Sequence, residues 1–201
     1  MSDIEYFLAT YGFRPQDVIL VPYGSRVYGT ATASSDYDYI AIIPANRFAD
    51  TGTEFRKADT NIHMYNKVDF QKQLIRHKIH ALEAYFHPDK LCTQFKWELN
   101  PGVLREEIAS KASHSFVKAK KKIEKEHDYY IGFKSLFHSL RILIFGTQVA
   151  QHKAIVDYGA ANYLWKEIIE ANQYNWEYFK EKYQPVYNEL ASEFRKVAPK
   201  L

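Results

Sequence analysis

Two acids set two residues apart at the head of an apolar run constrain this chain more than any other feature. Asp36 and Asp38 open the segment DYDYIAII (36–43), and upstream a second compact apolar run, DVILVPY (17–23), stops abruptly at Gly24 and Ser25. Both runs read as buried strands. Alternate side chains of a strand share a face, so the two carboxylates lie side by side. Aspartate is disfavoured within strands and like charges on one face repel, so the pair asks for a cation. Hard oxygen ligands on a stiff strand suit magnesium, which keeps some of its waters and shares itself with substrate phosphates. Gly24 lets backbone approach a ligand closely, and Ser25 adds a hydroxyl beside exposed N–H groups, a setting that suits phosphate oxygens.

The elements around this pair follow from local signals. Ser2 and Glu5 form a capping-box pattern, and Ile4, Phe7, Leu8 and Tyr11 follow at helical spacing before Gly12. A loop is expected over 44–52 and a third strand over 55–65, with Ile62 and Met64 on one face and Asp59, Asn61 and His63 on the other. From Asn66 the pattern turns helical through Val68, Phe70, Leu74, Ile75, Ile79, Leu82, Tyr85 and Phe86, and Pro88 stops it. Further helices are expected over 101–127, 131–145, 160–171 and 176–197. Strands early and helices late predict an α+β fold, a small mixed sheet with flanking helices followed by a mainly helical C-terminal part. The loop over 91–102 is the seam, giving a core over 1–98 and a helical domain over 99–201.

Composition narrows the class. A chain of 201 residues with 46% hydrophobic and 25% charged residues is that of a globular protein with a real core. The single cysteine, Cys92, cannot form an internal disulfide or a thiolate metal cage. MSDIEYFLAT carries no basic region followed by a long apolar run, and no apolar stretch reaches membrane-spanning length, so a cytoplasmic protein without a membrane partner is expected. A net charge of +3 permits a polyanionic partner but is too small for a dedicated nucleic-acid binder. The eight histidines show neither HxxxH nor HExxH spacing, which excludes the familiar zinc patterns.

Gly24-Ser25 followed by Asp36-Tyr37-Asp38 on the next strand resembles the signature of the DNA polymerase β nucleotidyltransferase superfamily: Gly-Ser, a spacer of roughly ten residues, then two acids around one hydrophobic residue. Gly24-Ser25-Arg26 with Gly29, and Ser35-Asp36-Tyr37-Asp38-Tyr39, are similar to the RNA-ligase-associated polymerase-β-like predicted nucleotidyltransferases of bacteria and phages. His80 to Phe86, HALEAYF, resembles the segment after the third strand in that group, and together these matches span about half the chain. The resemblance implies transfer of a nucleoside monophosphate from a nucleoside triphosphate to a hydroxyl, with two Mg2+ ions, replaceable by Mn2+, held by Asp36 and Asp38. Members of the superfamily usually add a third carboxylate from the following strand, and Asp59 is the candidate here.

Lys134, His138 and Arg141 fall at i, i+4 and i+7 of an otherwise apolar helix, and Lys134 with His138-Ser139-Leu140-Arg141 resembles the family's helical part. That reading makes them candidates for the triphosphate tail, as is Arg26 if its side chain turns inward. A solvated face is the plainer alternative for Lys134 and Arg141, and a structural role for His138. The run KAKKK (118–122) with Glu124 and Glu126 reads as a solvated, charge-paired helix, and the late aromatics as helix packing. The acceptor can be an RNA end, a protein hydroxyl or a small molecule, with RNA preferred. Two rivals stand beside the transferase: a non-catalytic nucleotide- or RNA-binding regulatory module, and a protein-modifying nucleotidyltransferase of toxin–antitoxin type.

Overall fold

The computed structural model describes residues 1–47 and 53–200, in two compact units, Met1–Glu98 and Leu99–Leu201. The fold is α+β. The loop expected over 44–52 is described as far as Arg47, and its remainder lies outside the described residues.

In the first unit, α1 (Asp3–Tyr11) starts at the expected capping box, where Ser2 and Glu5 bond each other's backbone, and stops at Gly12 in the left-handed conformation. A short 3-10 turn leads to β1 (Ile19–Tyr23), α2 (Ser25–Tyr28), β2 (Tyr37–Ile43), β3 (Thr53–Lys57), β4 (Thr60–Asn66), α3 (Lys67–Ile75) and α4 (Ile79–Tyr85). The sheet runs β1-β2-β4-β3; β2 and β4 are parallel, and both edge strands are antiparallel to their neighbours. Pro22 sits on the edge strand β1, where a missing N–H is tolerated.

One sheet face carries Ala41, Ile43, Phe55, Ile62 and Met64, and packs against Phe7, Leu8 and Phe13. The opposite face meets α4, as the stacked rings of Tyr65 and His80 show. Covered on both sides, β2 buries Ile40, Ala41, Ile42 and Ile43 in succession, which explains why its second half is wholly apolar.

Two expectations are corrected here. The strand expected over 55–65 is a hairpin, β3 and β4, turning at Ala58 and Asp59 with Ala58 at φ 46°. Phe55 pairs with Ile62 across that hairpin, so an odd-numbered apolar residue shares a face with even-numbered ones, which a single strand cannot do. The helical stretch after Asn66 is likewise two helices, broken at His77, whose φ is 52° and whose ring Nδ1 lies 3.0 Å from the Ile75 carbonyl.

The second unit holds α5 (Pro101–Lys120), a π-helical turn (Lys121–Lys125), α6 (Tyr129–His152), α7 (Asn162–Glu170) and α8 (Trp176–Val197). Its core is aromatic: Phe133, Phe137, Trp176, Phe179 and Tyr183 pack with Leu136, Leu140, Leu164 and Ile168. The lysine run is charge-paired, with Lys121 and Lys122 bonded to Glu126 at 2.8 and 2.6 Å. Among the described residues no helix is long and apolar enough to cross a membrane.

Candidate functional site

The register of the sheet aligns four residues in one row, Tyr23 on β1, Asp38 on β2, Asn61 on β4 and Arg56 on β3. Residues in register point to the same face, so this row sets a carboxylate beside an amide beside a guanidinium. Asp36 stands immediately before β2 and is exposed, whereas Asp38 is half-buried. Both carboxylates turn to one atom. Asn61 Nδ2 donates to Asp36 Oδ2 at 3.0 Å and to Asp38 Oδ1 at 3.3 Å.

Gly24 is part of this arrangement. It is buried, with φ 82°, and a Cβ built on it would lie 2.5 Å from Asp38 Oδ2. Any side chain there would push the carboxylate away or strain the backbone, so the glycine after β1 is what lets Asp38 sit against the turn. Ser25, half-exposed, is the first residue of α2, the short helix formed where the sequence suggests only a turn. Tyr28 at its end donates a 2.6 Å hydrogen bond to Glu83 on α4 and ties the turn to the helix behind the sheet.

Arg26 does not turn toward the carboxylates. Its Nη2 donates to the Ser35 carbonyl at 2.6 Å, its Nε donates to the Asp36 carbonyl at 3.3 Å, and its guanidinium lies 3.7 Å from the centre of the Tyr37 ring. It fixes the backbone that delivers Asp36.

Asp59 occupies the β3–β4 turn with its side chain exposed, and its carbonyl accepts a 2.6 Å bond from the Tyr37 N–H. Among the described residues no three His, Cys, Asp or Glu side chains are grouped so as to hold a metal, so Asp59 is not gathered with Asp36 and Asp38. In the row itself the place beside Asp38 belongs to Asn61.

Further along the same face, His63 Nε2 lies 3.3 Å from Glu54 Oε1, which also accepts from Arg56 at 2.9 Å. The Arg56 hydrogen bond holds the Glu54 carboxyl below its ordinary value. Glu54, with a smaller contribution from the field of Asp36 and Asp38, raises Arg56. Tyr23 packs edge-on to His63, and burial, then Asp38 and Glu83, push its hydroxyl upward, so it stays protonated. The sequence reading passed over Glu54, Arg56 and the bridging use of Asn61. The parity of Phe55 against Ile62 was the signal that reveals the hairpin and brings the first two alongside.

The residues present suit a hard divalent cation. Two carboxylate oxygens aim at a common point, and the atom now there belongs to an amide whose oxygen and nitrogen exchange places by rotation. Asp36 and Asp38 would be the charged ligands, with Asn61 beside them.

Compared with known proteins, the chain matches no family model and no curated protein. It is similar to a solved structure described as a nucleotidyltransferase-like protein from Exiguobacterium sibiricum 255-15. The identity is 12% and the TM-score 0.39, over 96% of this chain and 76% of that one. A likeness at that level carries no argument, so the functional reading rests on the site.

In the second unit the expected cationic stripe of α6 divides. Lys134 is exposed, its amine 5.2 Å from the Tyr130 ring centre. Arg141, only 1% exposed, has its Nη2 2.8 Å from His138 Nδ1 and its guanidinium 4.7 Å from the Phe145 ring centre. Burial, then the charges of Arg141, Lys111 and Lys118, push the His138 imidazole well below its ordinary value, so it stays neutral and accepts the Arg141 hydrogen bond.

Proposed function

We propose that the N-terminal unit is a nucleotidyltransferase that moves a nucleoside monophosphate from a nucleoside triphosphate to a hydroxyl acceptor, with Mg2+ held by Asp36 and Asp38. The observation that carries this is the convergence of the two carboxylates on Asn61 Nδ2, with Asp38 seated against Gly24 at the end of β1. In the transfer the acceptor oxygen bonds the α-phosphorus, the bond from that phosphorus to the bridging oxygen breaks, pyrophosphate leaves, and the acceptor proton passes to water. The cation supplies charge neutralisation on the phosphates. Asp36 and Asp38 orient it, Gly24 keeps Asp38 in place, and Ser25 offers its hydroxyl to a phosphate oxygen. An RNA end remains the preferred acceptor, on the mild positive charge of the chain and the family resemblance.

A second reading is favoured by one observation: the position beside Asp38 is an amide and not a carboxylate. A site with two acids is a weaker two-metal catalyst than one with three, which suits a module that binds nucleotide without turning it over. Incubation with each α-labelled nucleoside triphosphate, Mg2+ and total RNA or protein separates the readings. Label in RNA or protein with the wild type, absent with Asp36→Ala/Asp38→Ala, supports the transferase and identifies its acceptor class. Magnesium-dependent nucleotide binding without transfer supports the binding module.

A further inference from the structure

Asn61 spends both protons of one amide on two different carboxylates, an unusual use for a side chain in the middle of a sheet. We infer that Asn61 completes the cation site: its nitrogen bridges Asp36 and Asp38 while no cation is present, and its oxygen turns to the cation as a third, neutral ligand when one binds. The inference rests on the reading of Asp36 and Asp38 as cation ligands and says how that site is built.

The backbone of Asn61 is fixed. It lies in register with Asp38 of the parallel strand β2 and with Arg56 of the antiparallel strand β3, so β4 is held on both sides. The side chain is left to move, and a half-turn about its last torsion exchanges oxygen for nitrogen without moving the strand. With the nitrogen inward, the two N–H bonds offset the repulsion between neighbouring carboxylates. With the oxygen inward, the site offers three oxygen donors of the kind hard divalent ions take.

The charge count sets the stoichiometry. Asp36, Asp38 and Asn61 together carry the charge of two carboxylates, enough for one divalent ion. Arg56, next in the row, is paired with Glu54, so the two add no net charge to that count. The chain alone therefore takes up a single divalent ion, and any further ion needs the negative charge of a bound triphosphate. A third carboxylate in place of Asn61 would remove that limit.

Mn2+ is a suitable probe, because its free form is counted by electron paramagnetic resonance without any nucleotide or acceptor. Wild type should bind one Mn2+, Asn61→Ala should bind about tenfold more weakly, and Asn61→Asp about tenfold more tightly. In chelator, Asn61→Asp should melt below wild type, and Mg2+ should reverse the order, which a merely structural role of the amide would not do. Because a variant can fail to fold, the wild type supplies a second measurement: the 15N-labelled side-chain amide signals of Asn61 should shift when Mg2+ is added and return with chelator. If Asp38→Asn abolishes Mn2+ binding while Asn61→Ala and Asn61→Asp bind as wild type and the amide signals stay still, the role of Asn61 is overturned and the metal site stands. If neither wild type nor Asn61→Asp binds Mn2+, both are overturned.

Discussion

In the N-terminal unit, Asp36, Asp38 and Asn61 meet on a sheet face and remain partly open to water, whereas in the C-terminal unit His138 and Arg141 meet within a helix packed among aromatic and aliphatic side chains. Both clusters consist of polar groups that hydrogen-bond one another. The first leaves like charges adjacent, bridged by one amide, on a face open to water. The second pairs a neutral ring acceptor with a guanidinium donor. Residue type alone does not separate a site from a core contact; like charges set side by side on a face open to water do.

Substitutions can break that contrast. The largest effect is expected from Asp38→Asn, which keeps the shape of the side chain and removes half the charge of the pair. Label transfer from an α-labelled triphosphate should fall about a hundredfold or more, with the circular dichroism of the helical unit unchanged. Residual transfer near the wild-type rate would end the metal reading of the pair.

Gly24→Ala comes next and acts on position alone. The left-handed backbone and the 2.5 Å approach to Asp38 Oδ2 together predict about 1–3 kcal/mol of destabilisation in denaturant titration, with transfer impaired beyond the unfolded fraction. The counterpart in the helical unit is Gly146→Ala. There the added Cβ would stand 2.7 Å from Ile108 Cγ2, so overpacking of about 1–3 kcal/mol is partly offset by the gain in helix propensity, about 1 kcal/mol. Transfer per folded molecule should be unchanged. Equal loss of transfer in both glycine variants would show that the two units do not divide the work in this way.

The smallest effect concerns pH. The folded pKa of His138 is depressed, so below about pH 6.5 the unfolded chain takes up a proton that the folded unit refuses. Its contribution to stability is present above that pH and is lost as pH falls toward the folded value. His77 and His87 of the first unit are lowered by burial in the same sense. His138→Gln should flatten the fall in unfolding free energy between pH 7 and pH 5 without abolishing it. A slope identical to wild type would remove His138 from the account.

Much of the fold was legible where local chemistry dictates structure. The capping box at Ser2 and Glu5, the apolar run of β2 and the bounds of the last helix, 176–197, are found as the sequence predicts. The hairpin was not, because Lys57-Ala58-Asp59-Thr60 has no glycine, asparagine or proline and only Asp59 as a turn signal, while Ala58 takes the positive φ that a two-residue hairpin turn requires. That error carried into the site: on a single strand Asp59 shares a face with Asn61, and in a turn it does not stand in the row. That Asp36 and Asp38 share a face was readable from their spacing, whereas the seat that Gly24 gives Asp38 was not. The part played by Asn61 depends on which strands are neighbours, and no spacing within one segment records the parallel pairing of β2 with β4.

The segment between α2 and β2 is fastened at both ends. At its start the Thr30 N–H bonds the Ser25 carbonyl, and at its finish Arg26 grips the carbonyls of Ser35 and Asp36. Ala33 and Ser34 lie exposed between those fastenings. An insertion between Ala33 and Ser34 would open the Thr32–Ser35 turn yet leave both fastenings in place, so the loop could be lengthened without displacing the acid pair.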